Sequence, residues 1–127
     1  MQKFGLILAF VFGFGAPVLA DPVIGIWKTQ VDDGAYAHVK FSSCGAKLCG
    51  KIARSFKAGA EYKSPNLGRK LVWDMVADGG GHYSGGQIWQ PSKDKVYKSK
   101  MSLSGNKLYV SGCWGIICKK QTWTRVK

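Results

Sequence analysis

Short runs in which apolar and polar residues alternate recur from residue 24 onward, and they constrain the fold more than any other feature. In one run, Val39 and Phe41 alternate with His38 and Lys40. A period of two places one set of side chains on each face of an extended chain, which is typical of a half-buried β-strand. Residues that favour turns, chiefly Gly, Asp, Asn and Pro, separate the runs. Eight strands are predicted in this way, at residues 24–29, 35–42, 48–56, 71–76, 82–89, 95–103, 107–112 and 119–126.

Eight short strands, with no helical periodicity after residue 20, predict an all-β fold: a single small antiparallel β-barrel of about eight strands. Closure of the sheet removes exposed strand edges, which otherwise invite aggregation. The polar residues 57–70 are expected to form a long surface loop. A barrel of this size is either filled by side chains or holds one small ligand. The residues expected to line its interior, and so to contact a ligand, are Val39, Phe41, Ile52, Met101, Leu103, Leu108 and Val110.

The first twenty residues are predicted to be a secretory signal peptide. Lys3 supplies a positive start, an apolar stretch follows, and Pro17 precedes a small-residue cleavage site between Ala20 and Asp21. The stretch is short and broken by Gly and Pro, which disfavours the alternative of an uncleaved membrane anchor. The mature chain is therefore expected to be one barrel domain, residues 21–127, located in the periplasm or secreted.

The four cysteines form two pairs, Cys44 with Cys49 and Cys113 with Cys118, and four residues separate the members of each pair. An oxidising compartment favours disulfides. Opposed residues of an antiparallel hairpin also lie close enough to be bridged. We therefore predict two hairpin disulfides. A four-cysteine zinc site and a redox-active dithiol remain the alternatives.

The chain is strongly basic, with 19 Lys and Arg against 7 Asp and Glu and a formal net charge of +12. In an exported protein, such a charge favours an anionic lipid or another polyanion of the cell envelope as partner, and no nucleic acid is expected. The alternative is a lysine-rich face that keeps the protein soluble. Trp114, between Cys113 and Cys118, is expected at an exposed apolar loop tip. The residues proposed to contact an anionic surface are Lys93, Lys95, Lys98, Lys100, Lys107 and Trp114.

The sequence shows no constellation of residues that would support catalysis. Its one Glu, Glu61, lies in a predicted loop, and the Gly-x-Ser-x-Gly motif of many hydrolases is absent. Asp74, inside a predicted strand, is either a functional carboxylate or an outward-facing one. His38 and His82 lack a second His or Cys at metal-ligand spacing, and the glycine-rich residues 79–86 predict a hairpin turn rather than a phosphate-binding loop. No enzyme activity, metal or cofactor is therefore expected.

The segments Gly25-Ile-Trp27 and Thr122-Trp-Thr-Arg125, on the first and last predicted strands, resemble the pattern of the calycins, the superfamily that contains the lipocalins. In these proteins, a Trp of the first strand packs against a basic residue of the last strand at the closed end of the barrel. The resemblance implies that Trp27 stacks under Arg125, in a cation–π contact worth about 0.5–2 kcal/mol.

A fuller resemblance covers essentially the whole mature chain, to the exported bacterial family known as domain of unknown function 2147. The family tends to carry an acidic segment followed by Arg in its middle loop, whereas residues 63–69 of this chain contain no acid. A binding specificity of that loop therefore does not carry over. The resemblance implies a calycin-like barrel in the bacterial envelope and transfers no activity. The matching segments, in the family's order, are Gly25-Ile-Trp27-Lys-Thr29, Cys44-Gly-Ala-Lys-Leu-Cys49-Gly-Lys-Ile52, Gly85-Gly-Gln-Ile88, Lys95-Val-Tyr97-Lys98, Leu108-Tyr-Val110-Ser-Gly112 and Gln121-Thr-Trp-Thr-Arg125.

Together these features predict a non-catalytic exported barrel that binds an apolar or amphipathic small molecule, or an anionic component of the envelope. The first alternative is an interaction module whose barrel is filled by side chains and takes no ligand. The second is a small envelope enzyme. The volume of the barrel interior separates the first two interpretations, because ligand pockets begin at about 300 Å³.

Overall fold

The computed structural model of this chain describes residues 20–127, so nearly all of the predicted signal peptide, residues 1–19, lies outside the described residues. In the described part, no helix is long and apolar enough to cross a membrane. The strands of this part are β1 (Gly25–Lys28), β2 (Ala35–Cys44), β3 (Lys47–Lys57), β4 (Ala60–Tyr62), β5 (Lys70–Gly79), β6 (His82–Gln90), β7 (Lys95–Ser104), β8 (Lys107–Trp114) and β9 (Ile117–Arg125).

Eight of these strands close into an antiparallel barrel, which confirms the predicted fold class. Strands pair in the order β1-β2-β3-β5-β6-β7-β8-β9, and β9 pairs back with β1. In that last pairing, Trp27 lies opposite Arg125. Hydrogen-bonded strands therefore follow one another around the whole ring, so the ring itself has no free edge.

The fourth strand corrects the prediction of a long surface loop at residues 57–70. Strand β4 pairs with the end of β3, with Tyr62 opposite Ser55 and Ala60 opposite Lys57. All three of its residues are exposed. Because β4 has no buried face, it lacks the apolar alternation from which the other strands are predicted. It forms because a turn folds it back onto β3.

The core fills the barrel from its centre to one end. The two largest side chains that are completely buried in it are those of Trp27 and Trp123. Phe41 contributes a ring whose centroid lies 6.3 Å from that of Trp123. The buried apolar residues are Val23, Trp27, Val39, Phe41, Leu48, Cys49, Ile52, Leu71, Val72, Met75, Tyr83, Trp89, Met101, Leu108, Val110 and Trp123.

This filled end is sealed by the contact that the calycin resemblance implies. The guanidinium carbon of Arg125 lies 4.3 Å from the centroid of the Trp27 ring. Arg125 Nη2 also donates to the carbonyl oxygen of Pro22 at 2.8 Å, and Trp27 Nε1 donates to that of Val23 at 2.9 Å. The segment that precedes β1 is thereby fastened across the end of the barrel.

Both predicted disulfides are present, Cys44–Cys49 and Cys113–Cys118, and no cysteine is free. Cys113 and Cys118 are directly opposed in the β8–β9 hairpin, with their Cα atoms 4.1 Å apart. The first pair differs from the predicted geometry, because Ser42, not Cys44, is the register partner of Cys49. The Cα atoms of Cys44 and Cys49 are nonetheless 5.8 Å apart, within the ordinary range for a disulfide.

Candidate functional site: the cavity at the barrel mouth

The end of the barrel opposite the Trp27–Arg125 contact contains a cavity of about 390 Å³, which we call the mouth cavity. Its inner wall is apolar and comes from five different strands of the barrel. Three connections contribute to its lining: the segment between β1 and β2, the segment between β4 and β5, and the β6–β7 turn. The strand ends next to the β8–β9 turn also contribute, through Trp114 and Lys119. The apolar wall residues are Ile52, Leu71, Ile88, Val110 and Trp123.

A hydrogen-bond network ties two of these connections together across the opening. One carboxylate oxygen of Asp32, Oδ2, accepts hydrogen bonds from Gln90 Nε2 at 3.1 Å and from Ser92 Oγ at 2.8 Å. The Tyr97 hydroxyl donates to Gln90 Oε1 at 3.2 Å. Asp32 belongs to the β1–β2 connection and Ser92 to the β6–β7 turn, so the network fixes one part of the rim.

Aromatic side chains form another part of the rim. The rings of Tyr97 and Trp114 lie 5.7 Å apart, and Lys119 Nζ is 6.0 Å from the Trp114 ring centroid. Trp89 is buried, with the Arg69 guanidinium carbon 3.8 Å from its ring centroid. Aromatic rings of this kind give a cavity broad apolar contact surface.

Several polar groups of the wall bond within the protein. Thr29 Oγ1 accepts from the backbone N–H of Ala37 at 2.9 Å, Ser64 Oγ accepts from that of Asn66 at 3.0 Å, and Trp123 Nε1 donates to a neighbouring glutamine. These groups need no ligand partner. The fixed charges that line the cavity are those of Lys57, Lys93, Lys119, Asp32 and Asp33.

Ser99 differs from these groups, because its buried Oγ has no hydrogen-bond partner. It lies on β7 one inward-facing position deeper than Tyr97, opposite Gly112 of β8. Tyr97 and Gly112 both line the cavity and Ser99 does not. The hydroxyl is therefore buried in the barrel wall beside a cavity-lining glycine, without lining the cavity itself.

The residues predicted to contact a ligand fall into two groups. Ile52 and Val110 line the mouth cavity. The other five face inward as expected but do not line it, because alternation along a strand predicts the face of a residue and not whether that residue borders a cavity. Their contact with a ligand stays a prediction. These five are Val39, Phe41, Met101 and Leu108, which are buried, and Leu103, which is partly buried.

The residues predicted to contact an anionic surface do not form one group. Lys93 and Trp114 line the mouth cavity. Lys98, Lys100 and Lys107 are exposed on strands β7 and β8, on the outer face of the barrel. Lys95 is exposed at the start of β7. Sequence reasoning missed two cavity lysines, Lys57 and Lys119, because they lie far along the chain from Lys93 and only the tertiary structure places all three on the same cavity.

Other candidate groups do not gather into a reactive centre. Asp74 is exposed and has a φ of 58°, at a bulge where Val72 to Met75 oppose only Leu48 to Gly50. The ring of His38 packs 4.8 Å from that of Phe56, and partial burial, reinforced by the positive charge of Arg54, lowers its pKa. Within residues 20–127, no three His, Cys, Asp or Glu side chains are grouped so as to hold a metal ion.

An eight-stranded antiparallel barrel that is sealed at one end and has a cavity at the other defines this protein as lipocalin-like in fold. A solved structure agrees: protein HP1028 from the human pathogen Helicobacter pylori, described as belonging to the lipocalin family, is 22% identical. The match covers 85% of each chain with a TM-score of 0.69, and at this identity it shows the fold alone.

Residues 25–125 match the family described as "Uncharacterized protein conserved in bacteria (DUF2147)", and the chain belongs to this family. The resemblance seen in the sequence is thereby confirmed. No curated protein is detectably similar in sequence. Two disulfides in a member of a bacterial family are consistent with a location outside the cytoplasm.

Proposed function

We propose that this protein is a non-catalytic binding barrel that holds one apolar or amphipathic small molecule in the mouth cavity. The observation that carries the proposal is the cavity itself. Its volume of about 390 Å³ falls within the range of about 300–1,000 Å³ that is usual for ligand pockets. A barrel that acts only as a filled interaction module has no need of this space.

The distribution of polarity around the cavity suggests how such a molecule is oriented. Ile52, Leu71 and Val110 are apolar and contact the deeper part, whereas Lys93 and Lys119 belong to the rim. An amphipathic ligand would place its apolar body against the wall and its polar or anionic group near these lysines. We expect this site to work in the periplasm or outside the cell, after cleavage between Ala20 and Asp21.

Binding is favoured over catalysis because one of the two carboxylates that line the cavity, that of Asp32, already accepts hydrogen bonds within the protein. Asp32 accepts hydrogen bonds from Gln90 and Ser92 through the same oxygen. A general base needs a carboxylate or an imidazole within reach of a substrate proton. No His is among the residues that line the cavity. The proposal therefore assigns no catalytic residue, metal or cofactor.

The test fills the cavity without unfolding the barrel. At Gly112, a Cβ atom would make only ordinary contacts, at 3.4 Å or more, so Gly112→Leu should place its side chain in the cavity. Ser102→Leu adds the same side chain to the outer face of β7 and is the matched control. We expect an apolar fluorescent dye to bind the wild type and Ser102→Leu, and to bind Gly112→Leu much more weakly. Native mass spectrometry of protein taken from its own envelope should show a co-purified small molecule. Equal dye binding by all three proteins, or none by the wild type, would contradict the proposal.

A second candidate function is binding of an anionic envelope polymer on the outer wall of β7, β8 and β9. Residues 95–127 contain eight Lys and Arg and no Asp or Glu. Lys100 and Lys120 flank Ser111 in register on this wall. The side chains of all three point away from the core, and Lys120 Nζ lies 5.0 Å from the Tyr109 ring centroid. A run of positive charge with no acid among these strands attracts polyanions.

A matched pair of double variants tests this second function. Lys98→Gln with Lys100→Gln removes two charges from the outer wall of β7. Lys40→Gln with Lys51→Gln removes two charges from a cross-strand pair elsewhere on the barrel. Binding to a soluble sulfated polysaccharide should fall only in the first double variant, and most clearly at low salt. No binding by the wild type would mean that the lysines serve solubility alone. An equal fall in both double variants would mean that binding depends on the overall charge and not on this wall, which also contradicts the proposed site.

A further inference from the structure

The turn between β8 and β9 exposes an unusual amount of apolar surface. We call residues 114–117 the hairpin tip. Its members Trp114, Ile116 and Ile117 are 46%, 101% and 52% exposed, so the Ile116 side chain contacts almost nothing. Val96 is also about half exposed. It lies on the neighbouring strand β7, two residues before Lys98, which is the register partner of Cys113. Exposed apolar groups of this kind that cluster together mark a contact site more often than scattered ones do.

The tip is held in place by features that do not depend on burying it. The Cys113–Cys118 disulfide closes the hairpin directly below the tip, and Gly115 has a φ of 60°, which allows the tight turn. Trp114 packs against Tyr97 on one side. The two isoleucines are therefore presented to solvent on a fixed support, although neither contributes to the core.

The surroundings of the tip are positively charged. Lys119 lies two residues after the tip, and Lys93 lines the same cavity as Trp114. Residues 20–127 as a whole carry 18 basic and 7 acidic groups, a net charge of +11. Of the acids at or near the rim, Asp32 accepts from Gln90 and Ser92, and Asp94 accepts from Trp89 Nε1 at 2.9 Å, while Asp33 also lines the cavity. Apolar groups that project from a cationic surface are complementary to an anionic lipid leaflet.

We propose that the hairpin tip inserts into an anionic lipid bilayer and so places the barrel mouth against the membrane. A bilayer is favoured over a protein partner because the tip is a narrow convex turn. Specific protein interfaces bury more than about 1,000 Å², which two protruding isoleucines and one half-buried indole cannot supply. A bilayer, in contrast, accepts a small apolar projection and needs no shaped counterpart.

Insertion of the tip would also bring the mouth cavity close to the membrane. Trp114 belongs both to the tip and to the cavity lining. When the tip is inserted, the cavity opens toward the leaflet, and an amphipathic molecule can pass between bilayer and barrel without crossing bulk water. This consequence depends on the proposed ligand binding; the docking itself does not.

The experiment compares vesicle binding of the wild type with that of a tip variant and a control. Ile116→Ser with Ile117→Ser removes the apolar projection. Val126→Ser alters an exposed valine, 44% accessible, at the sealed end of the barrel. The vesicles are phosphatidylcholine alone or phosphatidylcholine mixed with phosphatidylglycerol, and the readouts are co-sedimentation and the blue shift of tryptophan emission. Circular dichroism and a thiol assay establish that each variant folds with both disulfides formed.

We expect the wild type and Val126→Ser to bind the mixed vesicles and to prefer them to neutral ones, with binding weakened by salt. The tip variant should lose at least about tenfold in partition coefficient, because each buried isoleucine contributes on that order. Absence of vesicle binding by the wild type would overturn the proposal. Equal binding by the tip and control variants would overturn it as well. So would a concentration-dependent dimer that the tip variant abolishes, because the occupant would then be a second copy of the chain.

The Gly112→Leu variant separates this proposal from the proposed ligand binding. Because Gly112 lies inside the barrel, its substitution should leave vesicle binding unchanged while it blocks the cavity. If no protein binds the apolar dye but vesicle binding depends on the tip, the cavity function fails and the docking stands. If the wild type binds the apolar dye but vesicle binding does not depend on the tip, the docking proposal fails and the cavity function stands.

Discussion

Two glycines of the barrel wall should respond in opposite ways to the same substitution. Gly86 of β6 and Gly112 of β8 lie on either side of Ser99 of β7 in register. A Cβ atom added at Gly86 would lie 2.6 Å from Met75 Cε and 2.9 Å from the carbonyl oxygen of Trp73. Such contacts are too short for carbon, so Gly86→Ala requires the neighbours to move. Gly112 faces the mouth cavity, and Gly112→Ala requires no such movement.

The magnitudes follow from what can yield at each position. Met75 is completely buried, and the carbonyl oxygen of Trp73 belongs to the backbone of β5, so neither moves cheaply. Overpacking of this kind costs about 1–3 kcal/mol. Replacement of Gly by Ala also restricts the unfolded chain, which stabilises the protein by about 0.4–1 kcal/mol where the native conformation permits it. Gly86→Ala should therefore lose about 1–2 kcal/mol in the free energy of unfolding, and Gly112→Ala should gain about 0.4–1 kcal/mol.

Thermal and urea unfolding of the oxidised mature protein, followed by circular dichroism, would measure both changes. A difference of about 2 kcal/mol between the two alanine variants corresponds to melting temperatures roughly 8–16 °C apart for a domain of this size. Equal melting temperatures would refute the reasoning. They would mean that the wall is packed alike at both glycines and that the cavity does not begin at Gly112.

Three further predictions concern stability. Ser99→Ala removes a buried hydroxyl that has no partner and should raise the free energy of unfolding by about 1 kcal/mol in urea titrations; a loss would show that the hydroxyl is bonded in solution. Replacement of both Cys113 and Cys118 by Ser opens a six-residue loop and should cost about 2 kcal/mol, measured in the same way; an unchanged urea midpoint would contradict this. The pKa of His38 is lowered from its ordinary value of 6.5 by partial burial and by Arg54 and Lys28, against the opposing effect of Glu61. The unfolded state therefore binds a proton first as the pH falls, so stability should decrease below about pH 6.5, and His38→Gln should flatten that slope between pH 7 and 5.

Much of the fold could be predicted because its signals are local. The alternation in β2 places Val39 and Phe41 inside, and both are completely buried. The spacing of Cys113 and Cys118 suits a hairpin, and their register partnership follows from the turn between them. The errors arose where the local signal was weak. Strand β4 has no buried face, so its pairing with β3 depends on contact with the rest of the sheet.

The site was less accessible to sequence reasoning, for a geometric reason. Phe41 and Val110 both face inward, yet only Val110 lines the cavity. The lysines were grouped by their proximity in the chain, whereas the structure separates Lys93 at the mouth from Lys100 on the outer wall. It also brings Lys57 to the same cavity as Lys93. Alternation defines inside and outside, but it carries no information about height along the barrel axis.

The sequence by itself determined the eight strands of the barrel, its closed antiparallel class of fold and the two cysteine pairings, because each rests on residues close in the chain or on alternation. The Trp27–Arg125 contact followed from the family resemblance. The tertiary structure decided the rest. Where the core stops and the mouth cavity begins depends on how the strands are staggered around the ring, and stagger is set by long-range pairing such as that of β1 with β9. The pairing of β8 with β7 and β9 places the hairpin tip beside the cavity, since Trp114 reaches the lining only when β8 lies in its register between them.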